Sequence, residues 1–191
     1  GYTYGGWAWV DETDNNGTIE SDGIMQEAEQ KLEDVTVEMH EVDADGNIAS
    51  EIAVDGDGNQ AVVRTSDKGY YQFRLYPNKN YVAVARYDGT SGVPYKPSPF
   101  MLYDDPLKKD NDNDLMKVAG SFRTSPFLTS VPYDENHKPL YEDDGQTFQI
   151  NKSVSLGFVN GSRGFVGQWI WDDANYNGIR DTYEKGIGNV T

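Results

Sequence analysis

Between Val35 and His40 apolar and polar positions alternate: Val35, Val37 and Met39 fall on one face, and Thr36, Glu38 and His40 on the other. A period of two marks a strand with one face on a core. The turn-forming D-A-D-G-N at Asp43 to Asn47 predicts that this strand enters a hairpin. A second segment, 59–65, ends in S-D-K-G at Ser66 to Gly69, after which Y-Y-Q-F-R-L places Tyr71, Phe73 and Leu75 on one face, so a second hairpin is expected here. Beyond P-N-K-N at Pro77 to Asn80, Tyr81, Ala83, Ala85 and Tyr87 oppose Val82, Val84 and Arg86. Four strands in about 55 residues with short turns predict an all-β, antiparallel sandwich.

The rest of the chain is less regular. Residues 88–99 carry Pro94, Pro97 and Pro99 and predict a loop or an edge. Residues 121–144 are again rich in Pro and Asx. T-F-Q-I-N-K-S-V-S-L-G-F, from Thr147 to Phe158, alternates well enough for a closing strand or pair, and 157–167 reads as a linker. The one plausible helical piece is Gly23 to Leu32, of two or three turns at most.

Composition narrows the function. With aromatic residues at 13% and recurring alternation, disorder is not expected. The absence of cysteine excludes disulfides, zinc–thiolate sites and thiol catalysis, and a cysteine-free surface protein would need another source of rigidity, such as metal ions. Asp and Glu number 32 against 16 Lys and Arg, a net charge of −16 that repels nucleic acid and anionic membranes and favours cations. No stretch approaches the roughly 18 apolar residues of a membrane span, and the N-terminus has no basic-then-apolar signal pattern. If the protein is secreted, its signal lies elsewhere.

The two ends of the chain repeat each other. W-A-W-V-D at Trp7 to Asp11 matches W-I-W-D-D at Trp169 to Asp173, and D-G-I-M-Q-E-A-E at Asp22 to Glu29 matches N-G-I-R-D-T-Y-E at Asn177 to Glu184. From Glu29 to Val35 the spacing equals that from Glu184 to Val190, and the first copy differs by seven extra residues between Asp11 and Asp22. One complete unit over residues 1–166 and the truncated start of a second over 167–191 are therefore expected.

The matching segments are candidate metal loops. In D-A-N-Y-N-G-I-R-D-T-Y-E, Asp173, Asn175 and Asn177 occupy positions 1, 3 and 5 of a 12-residue calcium loop. Gly178 takes the turn, the Ile179 carbonyl supplies position 7, Asp181 stands at 9 and Glu184 closes at 12. Alternate oxygen-bearing residues around a glycine turn meet the needs of a hard cation that takes six to eight oxygens. The flanks, W-I-W before and G-I-G-N-V-T after, are strand-like. In the first copy Asp22, Ile24 and Glu29 keep their places, Gln26 stands where the second copy has Asp181, and Asp11, Asp14 and Asn16 (with Glu20) are the remaining candidates. A third cluster, D-N-D-N-D at Asp110 to Asp114 with Asp112 between them and Asp104 and Asp105 nearby, would repel itself unless a cation neutralised it. Calcium suits all three sites better than magnesium, which tends to keep its waters.

At this point the chain resembles the B-repeats of serine-aspartate-repeat surface adhesins of Gram-positive bacteria, a branch of the collagen-adhesin B-type family. The resemblance rests on the run from Trp169 to Thr191, on T-S-D-K-G-Y-Y-Q-F at Thr65 to Phe73, on the acidic stretch 104–114 and on S-V-S-L-G-F at Ser153 to Phe158. It implies an immunoglobulin-like (Cna B-type) sandwich with calcium-binding loops. It also implies an extracellular, cell-wall-associated place in a rod of tandem repeats, with any host or extracellular-matrix ligand held by other domains. Some relatives carry a Lys–Asn isopeptide cross-link. This chain has no Lys in 35–39 and no Glu in 81–87 where the reacting pair and its acid are expected, and 121–144 has no counterpart.

The expected role is a calcium-stabilised structural stalk repeat, not an enzyme. His40 and His137 are the only histidines, and no nucleophile motif accompanies them. Calcium ions and neighbouring repeats are the expected partners, with no nucleic acid and no membrane insertion in this segment. The alternative is a carbohydrate- or protein-binding module using Tyr76, Tyr87, Tyr95, Tyr103, Tyr133 and Tyr141. A row of coplanar exposed rings would favour binding, and dispersed rings the stalk.

Overall fold

Residues 1–12, 21–89, 92–99 and 111–161 are described here from a computed structural model. They form β1 (Tyr2–Val10), β2 (Thr36–Val42), β3 (Val62–Arg64), β4 (Tyr70–Leu75), β5 (Asn80–Arg86), β6 (Tyr95–Pro97), β7 (Met116–Val118), β8 (Ser121–Arg123), β9 (Phe127–Leu128) and β10 (Leu156–Asn160).

Alternation decides which side chains meet. Val37 and Met39 of β2 and Tyr81, Ala83 and Ala85 of β5 are buried from one side. Tyr71, Phe73 and Leu75 of β4, with Ala8, Val10, Leu156 and Phe158, are buried from the other. All belong to one core cluster, and each large apolar side chain removed from water adds about 1.5–3 kcal/mol. The sheets run β4-β1-β10-β6 and β3-β2-β5-β8-β7, with β9 also on β5. This is the expected all-β sandwich. Pairing is antiparallel except between β1 and β10, which run parallel with Ala8 opposite Leu156 and Val10 opposite Phe158. The start of β1 and the end of β10 therefore lie at opposite poles. Pro97 sits on β6, at the edge of its sheet, where a missing N–H is tolerated.

Three expectations fail. Residues 157–160, expected to open a linker, complete β10 between β1 and β6, with Phe158 and Val159 buried. Gly23 to Leu32 forms no helix: Ile24 and Lys31 make isolated β-bridges to Asp112 and Trp9, and Gly23 has φ 78°. Side-chain carboxylates of Asp22 and Glu29 take the backbone N–H groups of Ile24 and Gln26, which competes with helical pairing. Nor does the Ser66 turn close a hairpin, because β3 pairs with β2 while β4 pairs with β1 in the other sheet. The short turn lets Tyr71, Phe73 and Leu75 face the core from the opposite side.

Four five-residue turns share one design. The first residue of each (Asp43, Asp55, Ser66, Asp134) accepts from the backbone N–H groups two and four residues on. The fourth residue has positive φ: Gly46 (84°), Gly58 (87°), Gly69 (69°) and His137 (60°). The two bends of 131–149 therefore follow from Asx-turn chemistry: one such turn at Asp134, then a second where Asp144 accepts from Gln146 and Thr147. That second bend returns the chain so that Tyr141 bridges Phe148.

Candidate metal centre

The parallel β1–β10 pair ends at the pole where the first acidic loop begins, and the Asp11 N–H donates to the Phe158 carbonyl at 2.8 Å. Asp11 is fully buried. Its Oδ1 accepts from the Asp22 N–H at 3.3 Å, its Oδ2 accepts from the Gly23 N–H at 2.8 Å, and the Ser98 hydroxyl also donates to Oδ2. Burial pushes the Asp11 carboxyl above its usual range, against the pull of the Ser98 and Gly23 hydrogen bonds.

Glu29, only 6% exposed, ties the loop's two ends together. Its Oε1 accepts from the Glu12 N–H at 2.9 Å and its Oε2 from the Gln26 N–H at 2.8 Å. Asp22 accepts from the Ile24 N–H and from the Gln26 side-chain amide, each at 2.8 Å. The Lys31 ammonium donates to the Gln26 and Glu29 carbonyls at 2.9 and 3.0 Å, and burial lowers its pKa.

The third cluster packs onto this loop. Ile24 bridges Asp112, the Met25 N–H donates to the Asn111 carbonyl at 2.6 Å, and the Asn113 N–H donates to the Gly23 carbonyl at 2.8 Å. Asp112 is 4% exposed. Asp11, Asp22, Ile24, Glu29 and Asp112, which the sequence divides between two sites, thus belong to one pole. Asp114 turns away from it and accepts from the Ser155 N–H at 2.8 Å. Asp14, Asn16 and Asp110 lie outside the described residues, as does the whole loop of Asp173, Asn175, Asn177, Ile179, Asp181 and Glu184.

Among the described residues no three acidic or imidazole side chains converge as a finished metal cage. The chemistry of the pole nevertheless suits a hard cation. Asp11, Asp22, Glu29 and Asp112 stand on segments that meet at this pole, and the Gln26 side-chain oxygen is buried without a hydrogen-bond partner. An oxygen left unsatisfied in this way is destabilising unless a cation or water meets it.

Three contributors were not foreseen. Gln26 stands where the second copy has Asp181, and its sequence position alone does not show the buried amide oxygen. Asn113 lay hidden within the acidic run, and Ser98, between two prolines, carries no sequence signal at all.

The tyrosines of the binding alternative are scattered. Tyr87 packs on Tyr95 and Phe158 with centroids 5.1 and 6.0 Å away, Tyr141 stacks on Phe148 at 4.8 Å, and Tyr76 lies beneath the Lys79 ammonium. Among the described residues Tyr87 and Tyr95 are the only two of the candidate rings in contact, and Tyr103 lies outside them. His40 is held by the Ala49 carbonyl at 3.0 Å, and His137 is a turn residue.

No protein-family model matches the chain. It is similar to Colossin-B of Dictyostelium discoideum, 27% identical over 180 residues, covering 89% of the chain and 4% of that protein. Serine-aspartate repeat-containing protein F of Staphylococcus epidermidis is 27% identical over 192 residues, covering 99% of the chain and 9% of that protein. Over 52 residues, 22% of the chain and 4% of the relative, it is 46% identical to serine-aspartate repeat-containing protein D of Staphylococcus aureus. The chain thus spans between 4% and 9% of the length of these relatives.

Proposed function

We infer that this chain is a B-type stalk repeat of a bacterial surface protein, in which calcium fastens the pole where one unit meets the next. The observation that carries the reading is the Ile24–Asp112 bridge, which unites two acidic segments far apart in sequence at the end of β10. Similarity to serine-aspartate repeat proteins across nearly the whole chain supports the surface-repeat part of the reading.

Asp11, Asp22, Glu29 and Asp112, with the Ile24 carbonyl and the Gln26 side-chain oxygen, are the described groups that would hold the ion. Asp14, Asn16 and Asp110 complete the set on the sequence reading. Because β1 and β10 run parallel, units joined in tandem follow one another pole to pole, which makes a spacer rather than a folded-back pair. By the sequence repeat, the segment 173–184, which follows Trp169–Trp171 as Asp11 follows Trp7–Trp9, would supply the second unit's own calcium ligands. The protein would act outside the cell, on the cell wall of a Gram-positive bacterium, with neighbouring repeats as partners and host ligands left to other domains.

A cation that binds only the folded state adds about 2.7 kcal/mol per site at a hundredfold excess over its dissociation constant. Thermal unfolding in calcium and in chelator tests this. The midpoint is expected to rise by several degrees with calcium and much less with magnesium, and identical midpoints would overturn the reading.

A further inference from the structure

The outer face of the second sheet carries a groove of about 750 Å³ that the metal pole and the stalk do not use. Register places Glu38, Val84 and Arg123 side by side across β2, β5 and β8. The Arg86 guanidinium forms a two-pronged pair with the Glu38 carboxylate, Nη1 to Oε2 at 3.0 Å and Nη2 to Oε1. His40 Nε2 lies 3.6 Å from the same carboxylate.

Arg123 differs. Its guanidinium donates only to the neighbouring Thr124 carbonyl, at 3.4 Å. Arg64 and Arg74 pair with Asp34 and Asp57 at the surface, so among the described arginines Arg123 alone has no carboxylate partner. In a chain of charge −16 the groove is locally neutral, Arg86 and Arg123 balancing Glu38 and Glu51, and Arg123 is the cation there that no carboxylate engages. Ile48, Ile52, Val84 and Val118 supply an apolar floor, and Glu51 is the one further carboxylate on the groove.

We propose that this groove binds an extended acidic peptide, with a Glu or Asp carboxylate on the Arg123 fork and neighbouring aliphatic side chains on Val84, Val118 and Ile48. The planar guanidinium matches a carboxylate in two-point geometry, and the aliphatic surface adds contact area without fixing a sequence. A sugar acid presents the same carboxylate, but no aromatic ring lines the groove to stack on a pyranose face. The occupant is therefore a peptide.

The test uses the whole chain labelled with nitrogen-15 and the blocked peptide acetyl-Val-Glu-Val-Glu-Val-amide as probe, beside its glutamine counterpart and glucuronic acid. Saturable shifts confined to Val84, Val118, Ile48 and Arg123 are expected with the glutamate peptide alone. Arg123→Gln should weaken binding at least about tenfold with an unchanged melting temperature, and Arg123→Lys by less, because the charge survives while the fork is lost. Equal shifts with the glutamine peptide, stronger binding of glucuronic acid, or shifts elsewhere on the molecule would overturn the proposal. Shifts at the groove that grow with protein concentration alone would also overturn it, because a second copy of the chain would then be the occupant.

Discussion

Ile24 and Asp112 are bridged backbone to backbone, and hydrogen bonds on either side, from Met25 to Asn111 and from Asn113 to Gly23, lock the two segments together. Acidic loops that look independent in sequence are one unit in space. If one ion serves both, Asp22→Ala and Asp112→Ala each abolish the calcium-dependent gain at this pole. The double variant then loses no more than either single one, the non-additivity expected of residues that share a partner. Melting curves with calcium and with chelator measure it, and two additive losses would mean two ions.

Asn113 holds this pole to the core. Its amide donates to the Ser98 and Leu115 carbonyls at 2.9 Å, and its oxygen accepts from the Leu115 and Gly157 N–H groups at 2.9 and 2.8 Å. Truncation leaves these groups buried and unpaired, at about 1–3 kcal/mol for each one that water cannot reach. Asn113→Ala should therefore lose at least about 3 kcal/mol in urea unfolding, with or without calcium.

β1 threads between β4 and the segment before β10 with no room for a side chain at Gly6. A Cβ there would lie 1.9 Å from the Val154 carbonyl oxygen, a backbone atom that cannot swing aside. Gly6→Ala is expected to destabilise by at least about 2 kcal/mol, seen as a lower urea midpoint, through displacement of the strand.

His137 occupies the turn position that glycine holds in the three sister turns, with φ 60°. A side chain in the left-handed region costs about 1–2 kcal/mol, part of which the greater freedom of glycine in the unfolded chain cancels. His137→Gly should raise stability by about 0.5–1 kcal/mol and leave calcium binding unchanged. A calorimetric scan suffices to check it.

Tyr71 donates its hydroxyl to the Val154 carbonyl at 2.6 Å, and burial raises its pKa well above 10.0, with further pushes from Asp114 and Tyr70. Tyr81 is raised to about 12, by burial first and then by Glu41. An unfolded tyrosine ionises near 10.0, so above that pH the unfolded chain gives up protons before the folded one does. These two groups thus contribute full stability below pH 10.0 and lose it as the pH climbs through about 12. Ultraviolet titration beside circular dichroism should show tyrosines that ionise only as the sheet signal collapses. Ionisation of all 13 tyrosines near pH 10.0 in intact protein would contradict this.

The legible parts of this protein are those set by neighbours in sequence. Alternation at 35–39, 70–75 and 81–85 names the buried side chains, because a strand turns successive residues to opposite faces. The D-x-x-G-N turns follow from Asp or Ser reaching its own backbone two and four residues on. Gly23 to Leu32 tolerates a short helix by local sequence, whereas the bridges to Asp112 and Trp9 that hold it extended come from distant chain.

Other features depend on how the whole chain closes. The turn at Ser66 is as short as a hairpin turn, yet it carries the chain from one sheet to the other, since only that crossing lets Tyr71 and Phe73 cover the core opposite Met39 and Tyr81. By itself the sequence determined an all-β chain, its buried faces, its turn chemistry and its stores of cation-seeking oxygen. Only the tertiary structure decided that β1 and β10 run parallel and that residues 22–29 and 111–114 share one pole, because such pairings are set by closing a common core and leave no local pattern.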